Sequence, residues 1–286
     1  MSDLWTYLQY PFAQHALIAA TLIAITSGLI APFVAMRDMA FAVHGTAELA
    51  FPTAVAGLLI AGDAVGGALA GSVVVAVAIW WLGRQRSERN TAIGVLLAFG
   101  LGLGAFLLSF YHGFASAATN ILFGSIVSVS TKDVALLAVI AVLVVVVMIV
   151  IYRPLLFASV DADVAAARGV PVGPLGLVFL LVLAVTVTEA AQIVGTLLVL
   201  SLTITPAAAA RRWSANPLVV SGLAILFALI AADGGFLLSL AFIDADVKAS
   251  VMISFLSFAI YLVSLAVARW RDPRARASAA KSVAVT

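Results

Sequence analysis

The sequence predicts an all-α integral membrane protein with about nine transmembrane helices, forming a single polytopic domain over residues 1–286. Hydrophobic residues make up 64% of the chain and charged residues only 10%, and the mean hydropathy is +1.21. A soluble domain is about 45–50% apolar and about 25% charged, so this composition cannot build a water-facing surface. The apolar residues form long runs instead of the short alternating strands of a barrel, which indicates helices.

Nine segments qualify as membrane crossings, because a helix needs about 20 mostly apolar residues to span about 30 Å of hydrocarbon. They cover residues 12–36, 40–61, 64–83, 91–111, 133–152, 173–189, 191–210, 217–241 and 247–268. The sixth and seventh are short and adjoin within residues 186–192. A tenth segment, residues 114–129, is half-apolar and contains Ser, Thr and Asn. It is predicted to be an interfacial or re-entrant half-helix.

The arginines predict the orientation of these spans, because basic residues concentrate in cytoplasmic loops. All twelve follow odd-numbered spans, whereas Lys132 and Lys248 fall on the other side as exceptions. The amino terminus is therefore expected outside, and the carboxyl terminus with its basic tail, residues 269–286, in the cytoplasm. The arginines are Arg37, Arg84, Arg86, Arg89, Arg153, Arg168, Arg211, Arg212, Arg269, Arg271, Arg274 and Arg276.

Several functional classes are excluded by composition. Cysteine is absent, which removes disulfides, thiolate metal ligands, iron–sulfur clusters and thiol catalysis. The basic residues follow membrane topology, so no nucleic-acid partner is expected. Asp3 is the only charge before the first span, so the basic region of a cleavable signal peptide is missing. No polar stretch is long enough for a soluble domain, and any ATP hydrolysis is expected on another chain.

His44 and Glu48 in the second span form the clearest candidate site, because ionisable groups inside a membrane are unfavourable and commonly functional. Four residues apart on a helix, they share one face with Cβ atoms about 5–6 Å apart. An imidazole nitrogen and a carboxylate oxygen suit Zn²⁺, Mn²⁺ or Fe²⁺. The two side chains could equally bond each other to offset their burial. Spacing alone leaves both interpretations open.

Other ionisable residues give weaker signals. Asp233 lies in the eighth span beside Gly234, where it either lines a pathway or, as we favour, makes a buried hydrogen bond. Glu189, at the outer border of the sixth and seventh spans, is predicted to be a solvated loop carboxylate. His15 and His112 are expected at the outer membrane interface.

The cytoplasmic stretch at about residues 159–169 is predicted to form a short amphipathic helix. It has a helix start at Ser159 or Asp161, an alanine-rich body, and Gly169 followed by Pro171 as a stop signal. Such a helix would lie across the inner face and dock on a cytoplasmic partner. A plain loop is the alternative interpretation.

The chain resembles the permease subunit of the manganese/zinc/iron-type ABC importers over nearly its whole length. Apolar stretches match by chance easily, but here they occur in the expected order with the same inferred topology. The matching stretches are residues 37–52, Thr91–Leu96, Leu122–Ser130, Asp161–Gly169 and, as the strongest single match, Val194–Ala210.

This resemblance implies an ABC importer permease fold of the metal-chelate or metal-uptake type, in the cell membrane (inner membrane) of a prokaryote. It implies a homodimer with the pathway at the two-fold axis. The helix near residues 159–169 would sit on a separate ATPase, and an external metal-binding lipoprotein would deliver the ion. The expected function is ATP-driven import of Zn²⁺ or Mn²⁺, or of Fe²⁺. The metal would be cargo and not a permanently bound cofactor.

The sequence departs from the family at the site itself. The family's second span typically has an aspartate followed four positions later by a histidine. His44 and Glu48 present the same two ligand types in reversed order, with the aspartate lengthened to glutamate. The resemblance favours metal binding by this pair over a mutual bond, while the reversal leaves the choice between Zn²⁺ and Mn²⁺ open.

Two other functional classes remain as alternatives. A proton- or sodium-coupled secondary transporter would carry its own coupling carboxylates at midplane and often an inverted repeat. No repeat is evident, and Asp233 is the single candidate carboxylate. An intramembrane hydrolase would need a motif such as His-Glu-x-x-His or Gly-x-Ser-x-Gly, and neither occurs. The chain is therefore expected to be a non-catalytic subunit.

Overall fold

The computed structural model describes residues 9–83, 86–110, 129–242 and 248–271, and all regular structure in these ranges is α-helical. Eight of the described helices, all except α6 and α8, are long and apolar enough to cross a membrane. In chain order the helices are α1 (Pro11–Met36), α2 (Ala40–Ala61), α3 (Ala64–Leu82), α4 (Arg86–Leu108), α5 (Thr131–Val160), α6 (Ala162–Ala167), α7 (Val172–Val194), α8 (Thr196–Ala210), α9 (Pro217–Ala241) and α10 (Ala249–Arg271).

The predicted sixth and seventh spans meet at a different place from the one expected. Helix α7 continues to Val194 and stops at Gly195, whose φ of 98° favours a residue without a Cβ. Helix α8 therefore starts only at Thr196 and has 15 residues. At 1.5 Å per residue it is about 22 Å long, too short to cross about 30 Å of hydrocarbon unaided.

Helix α5 is longer than its predicted span of residues 133–152. It begins with a capping box, in which Ser130 and Asp133 exchange side-chain and backbone hydrogen bonds, and it runs for 30 residues to Val160. A helix of this length measures about 45 Å and exceeds the hydrocarbon thickness. Part of this helix, such as its last turns with Arg153 and Pro154, therefore extends beyond the hydrocarbon.

A glycine-rich seam holds α2 close to α3. A Cβ added to Gly57 on α2 would collide with the backbone of Gly67 on α3, and one added to Gly71 would collide with Thr53. Small residues at such positions let helix backbones approach closely in a membrane, where packing replaces the hydrophobic effect. On its other side α2 packs against α4, where Gly45 faces Ile93.

An aromatic cluster joins the carboxyl-terminal parts of α1 and α5 to α7. The ring of Phe33 meets Tyr152 edge to face, with ring centroids 5.3 Å apart, and lies 6.0 Å from Phe179. The guanidinium of Arg37 stands 5.7 Å from the centroid of Phe179. Arg89 Nη2 donates to the carbonyl oxygens of Arg37 and Asp38, each at 2.9 Å, and so fixes the turn between α1 and α2.

The predicted cytoplasmic helix is present but shorter than residues 159–169. Ser159 belongs to α5 and donates to the carbonyl of Leu155, so it is not a cap. Asp161 caps α6 by accepting from the backbone N–H groups of residues 163 and 164. Gly169, with φ of 84°, ends the turn after α6.

Predictions for residues 114–128, His112 and the tail after Arg271 lie outside the described residues.

Candidate functional site

His44 and Glu48 lie in the amino-terminal half of α2. The helix begins at Ala40, so the two residues stand roughly 6 and 12 Å above its first residue. Both are half-buried, and Phe41 on the same face is 38% exposed. The rings of Phe41 and His44 lie 6.3 Å apart. We call this half-open face, Phe41 with His44 and Glu48, the polar strip of α2.

Packing on the neighbouring faces of α2 fixes the direction of this strip. Val43 and Ala47, adjacent in sequence to the polar pair, are both fully buried in the bundle. Gly45 faces Ile93 of α4, and Leu49 meets the same helix at Gly100. These contacts prevent rotation of α2 about its axis. His44 and Glu48 are therefore held on a face that the described part of the chain leaves half-open.

Within the described residues, His44 and Glu48 make no hydrogen bond or ion pair with each other or with other side chains. The same residues contain no group of three or more His, Asp or Glu side chains that could hold a metal ion. A zinc site normally has four ligands, and sites for exchangeable ions keep positions for water or substrate. One imidazole and one carboxylate are two of the donors that such a site would need.

The surface beside α6 forms a second candidate site. Ala165 of α6 is fully buried against the bundle, whereas Val164 is 47% exposed and Ala166 is also exposed. Helix α6 therefore packs against the bundle mainly through Ala165 and leaves most of its surface exposed. A cavity of about 380 Å³ opens next to it, with Arg37, Trp80, Arg89, Ala162 and Gly176 in its lining.

The other predicted ionisable positions divide into one agreement and one error. Thr21 Oγ1 of α1 lies 3.1 Å from Asp233 Oδ1 of α9, a hydrogen-bonding distance that fits the favoured interpretation of Asp233. Glu189 is not a solvated loop residue as predicted. It lies inside α7, is 8% exposed, and its Oε1 has no hydrogen-bond partner within the described chain.

The error at Glu189 came from reading the polar stretch Thr186–Gln192 as a loop. The stretch is helical and buried in the bundle, and its polarity is the signal that sequence reasoning missed. His15 lies near the amino-terminal end of α1. Its Nε2 is 3.5 Å from Thr131 Oγ1, where the amino-terminal ends of α1 and α5 meet.

Comparison with known proteins places the chain among membrane transport proteins. A model of the ABC 3 transport family matches residues 9–268. The manganese transport system membrane protein MntC of Halalkalibacterium halodurans is 30% identical over 281 residues, which cover 96% of each chain. The high-affinity zinc uptake system membrane protein ZnuB of Haemophilus influenzae is 24% identical over 239 residues, covering 83% of this chain and 91% of ZnuB.

A solved structure has the same fold. PsaBC from Streptococcus pneumoniae, determined in complex with Fab, matches with a TM-score of 0.82 at 24% identity. The match covers 96% of this chain and 97% of that chain. The helix order and packing described above therefore form a fold already observed in an experimentally determined membrane protein.

Proposed function

The chain belongs to the ABC 3 transport family, and we propose that it is the membrane-spanning subunit of an ATP-driven importer of Mn²⁺, Zn²⁺ or a similar divalent transition metal ion. The family resemblance and the helical permease fold expected from the sequence are both confirmed. One observation supports the polar strip of α2 as the site of metal binding. An imidazole and a carboxylate, which suit these ions, stand together on the half-open face of a membrane-spanning helix.

The polar strip of α2 supplies two metal ligands from each chain. A second copy of the chain, related by a two-fold axis, would bring its own His44 and Glu48 to the pathway, and water molecules would fill any remaining positions. The Glu48 carboxylate would offset part of the charge of the ion as its hydration shell is lost. Affinity along such a path must be modest, because the ion has to leave as well as enter.

ATP hydrolysis takes place on a separate cytoplasmic subunit in this proposal, and the permease itself performs no bond chemistry. The exposed surface of α6 is suited to dock on that ATPase, since only Ala165 is committed to the bundle. An external metal-binding protein would deliver the ion to the outer face. The proposed orientation follows from the distribution of the arginines, which places the amino terminus outside and the carboxyl terminus in the cytoplasm.

A secondary transporter is not favoured, because membership in an ABC family points to a separate energy source. Asp233, the carboxylate that the sequence offered for ion coupling, is also engaged. Asp233 lies within hydrogen-bonding distance of the Thr21 hydroxyl at an interface between α1 and α9.

Purification of the full chain from native membranes tests the proposal. An ABC ATPase should copurify with it, and Gly169→Pro should abolish this association while the membrane bundle remains folded. Proline at this position would disturb the turn that positions α6, whose positive φ it cannot adopt. A matched control is Gly173→Ala, because a Cβ there has no neighbour within 4 Å. Purification without any ATPase, together with normal uptake after ATP depletion, would contradict the proposal.

A further inference from the structure

A second buried polar feature lies on α7, outside the polar strip of α2. Thr186, Glu189 and Gln192 recur every three residues and so share one face over the last turns of the helix. Thr186 is 1% exposed, Glu189 is 8% exposed and Gln192 is half-buried. In the described part of the chain, Thr186 Oγ1, Glu189 Oε1 and Gln192 Nε2 have no hydrogen-bond partner. We call these three residues the α7 polar face.

The two buried threonines of this stretch differ from the other buried threonines in the described part of the chain. Buried threonines in membrane helices commonly donate to the carbonyl four residues earlier, which satisfies their hydroxyl groups. Neither Thr186 nor Thr188 does so within the described residues. The other three, Thr26, Thr46 and Thr203, follow the usual pattern.

An unpaired buried carboxyl group is also unfavourable, since it has lost its hydration without gaining a partner. A bound cation would provide that partner. The position on α7 favours this, because the helix ends at Val194, shortly after Gln192. The negative end of the helix dipole and the last unpaired carbonyl oxygens therefore lie close by.

The α7 polar face and the polar strip of α2 lie at a similar depth in the membrane. Arg37, in the turn just before α2, contacts the ring of Phe179 on α7, and α2 and α7 pack against each other. Glu48 is eight residues beyond Ala40, the first residue of α2, and Glu189 is ten residues beyond Phe179. Both helices lead away from this contact in the same direction, so Glu48 stands roughly 12 Å above the start of α2 and Glu189 roughly 15 Å above Phe179.

We propose that Thr186, Glu189 and Gln192 bind a divalent cation, forming a second ion site beside the pathway at the depth of Glu48. Its donors are a hydroxyl, a carboxylate and an amide, whose oxygen can replace the nitrogen by a half-turn of the side chain. Oxygen ligands suit Mn²⁺ better than Zn²⁺, which favours nitrogen and sulfur. Recognition of the cation as transported cargo rests on the proposed function, whereas its binding to α7 does not.

Mn²⁺ binding to the full chain in lipid nanodiscs tests this site, with bound and free ion distinguished by electron paramagnetic resonance. The double variant His44→Ala, Glu48→Ala removes the polar strip of α2 and should still bind one Mn²⁺ per chain. Adding Glu189→Gln should weaken this remaining binding by about tenfold or more, since the charged ligand is lost. Asp233→Asn is the matched control, a carboxylate in a neighbouring span that should leave the remaining binding unchanged.

Two results would overturn the site. One is a double variant that binds no Mn²⁺, and the other is Glu189→Gln that keeps full affinity in the double-variant background. If Glu189→Gln does not fold by size-exclusion chromatography, Gln192→Leu in that background decides instead, and unchanged affinity again overturns the site. Failure of the proposed function gives a different pattern. Wild type and double variant would then bind Mn²⁺ equally, with Glu189 still required.

Discussion

The two polar regions of the membrane interior, the polar strip of α2 and the α7 polar face, differ in how the chain surrounds them. His44 and Glu48 are half-open and lie on a face that the bundle leaves unfilled. Thr186 and Glu189 are enclosed by the bundle and yet have no partner within the described residues. The half-open polar strip of α2 is accessible to donors from another molecule. The enclosed α7 polar face could be satisfied only by a ligand bound inside the bundle.

This contrast separates a shared site from an internal one. In our proposal, His44 and Glu48 on the polar strip of α2 meet their counterparts from a second copy, so the geometry of that site would depend on assembly. Ligands on the α7 polar face are all supplied by one helix, so that site is set by the fold of a single chain. We therefore expect changes in the two regions to differ in their effects on transport and on stability.

The largest expected effect tests whether α2 and α7 cross the membrane in the same direction. The similar depth of Glu48 and Glu189 depends on this parallel arrangement. Cysteine placed at Asp63, just beyond the outer end of α2, should react with an impermeant thiol reagent added to intact cells. Cysteine at Arg168, just before α7, should react only after the membrane is opened. The chain has no native cysteine, so labelling reports these positions alone. Equal labelling of both positions in intact cells would contradict a parallel arrangement.

The next effect compares single carboxylates. Glu48→Gln should lower Mn²⁺ or Zn²⁺ uptake by about tenfold or more, because it keeps the size of the ligand but removes its charge. Asp233→Asn should have a much smaller effect, since the amide oxygen can still accept from Thr21. Radioactive metal uptake, normalised to the amount of each variant in the membrane, measures both. Equal losses in the two variants would remove the distinction between a ligand and a structural carboxylate.

A milder effect is expected when the polar strip of α2 is rearranged without loss of its chemistry. The double substitution His44→Asp, Glu48→His restores the order of ligands typical of the family and keeps both ligand types four residues apart. Uptake should be retained, with a changed ratio of Mn²⁺ to Zn²⁺ in competition assays. Loss of uptake by a variant that assembles normally would show that the positions of the ligands are not interchangeable.

The smallest effect concerns stability. Glu189→Leu replaces an unpaired buried carboxyl group by an apolar side chain of similar size, which should stabilise the metal-free chain by about 1 kcal/mol or more. Glu48→Leu should give little change, because Glu48 is only half-buried. Thermal melting of the purified chain in detergent with a metal chelator measures this difference. A lower melting temperature for Glu189→Leu would mean that its carboxyl group already has a stabilising partner.

Sequence reasoning succeeded where a feature depended on local chemistry. Long apolar runs located the principal spans, and the i,i+4 spacing placed His44 and Glu48 on one helical face. Asp161, one of the two predicted start positions, caps the short helix α6, and the predicted stop signal Gly169 ends the turn after it. Such features require only the periodicity of a helix and the behaviour of its ends.

Sequence reasoning failed where burial by distant segments decided the outcome. A polar stretch such as Thr186–Gln192 has the composition of a loop, and only packing against other helices shows that it lies in the interior. The same error made the predicted sixth span end before α7 does and made the seventh begin before α8 does. The two helices are separated at Gly195 and not at the polar stretch. The donors that complete the polar strip of α2 are likewise beyond the reach of one sequence.

The most direct measurement of the central claim, that His44 and Glu48 bind the transported ion, is metal uptake by the variant His44→Phe, Glu48→Leu. This apolar pair would satisfy a purely structural role, because replacing a buried polar pair by apolar residues of similar size is often tolerated. In cells that have only this variant, we predict that the chain is inserted and bound to its ATPase but that Mn²⁺ and Zn²⁺ uptake is abolished. Import of either metal at the wild-type rate would contradict metal binding by this pair.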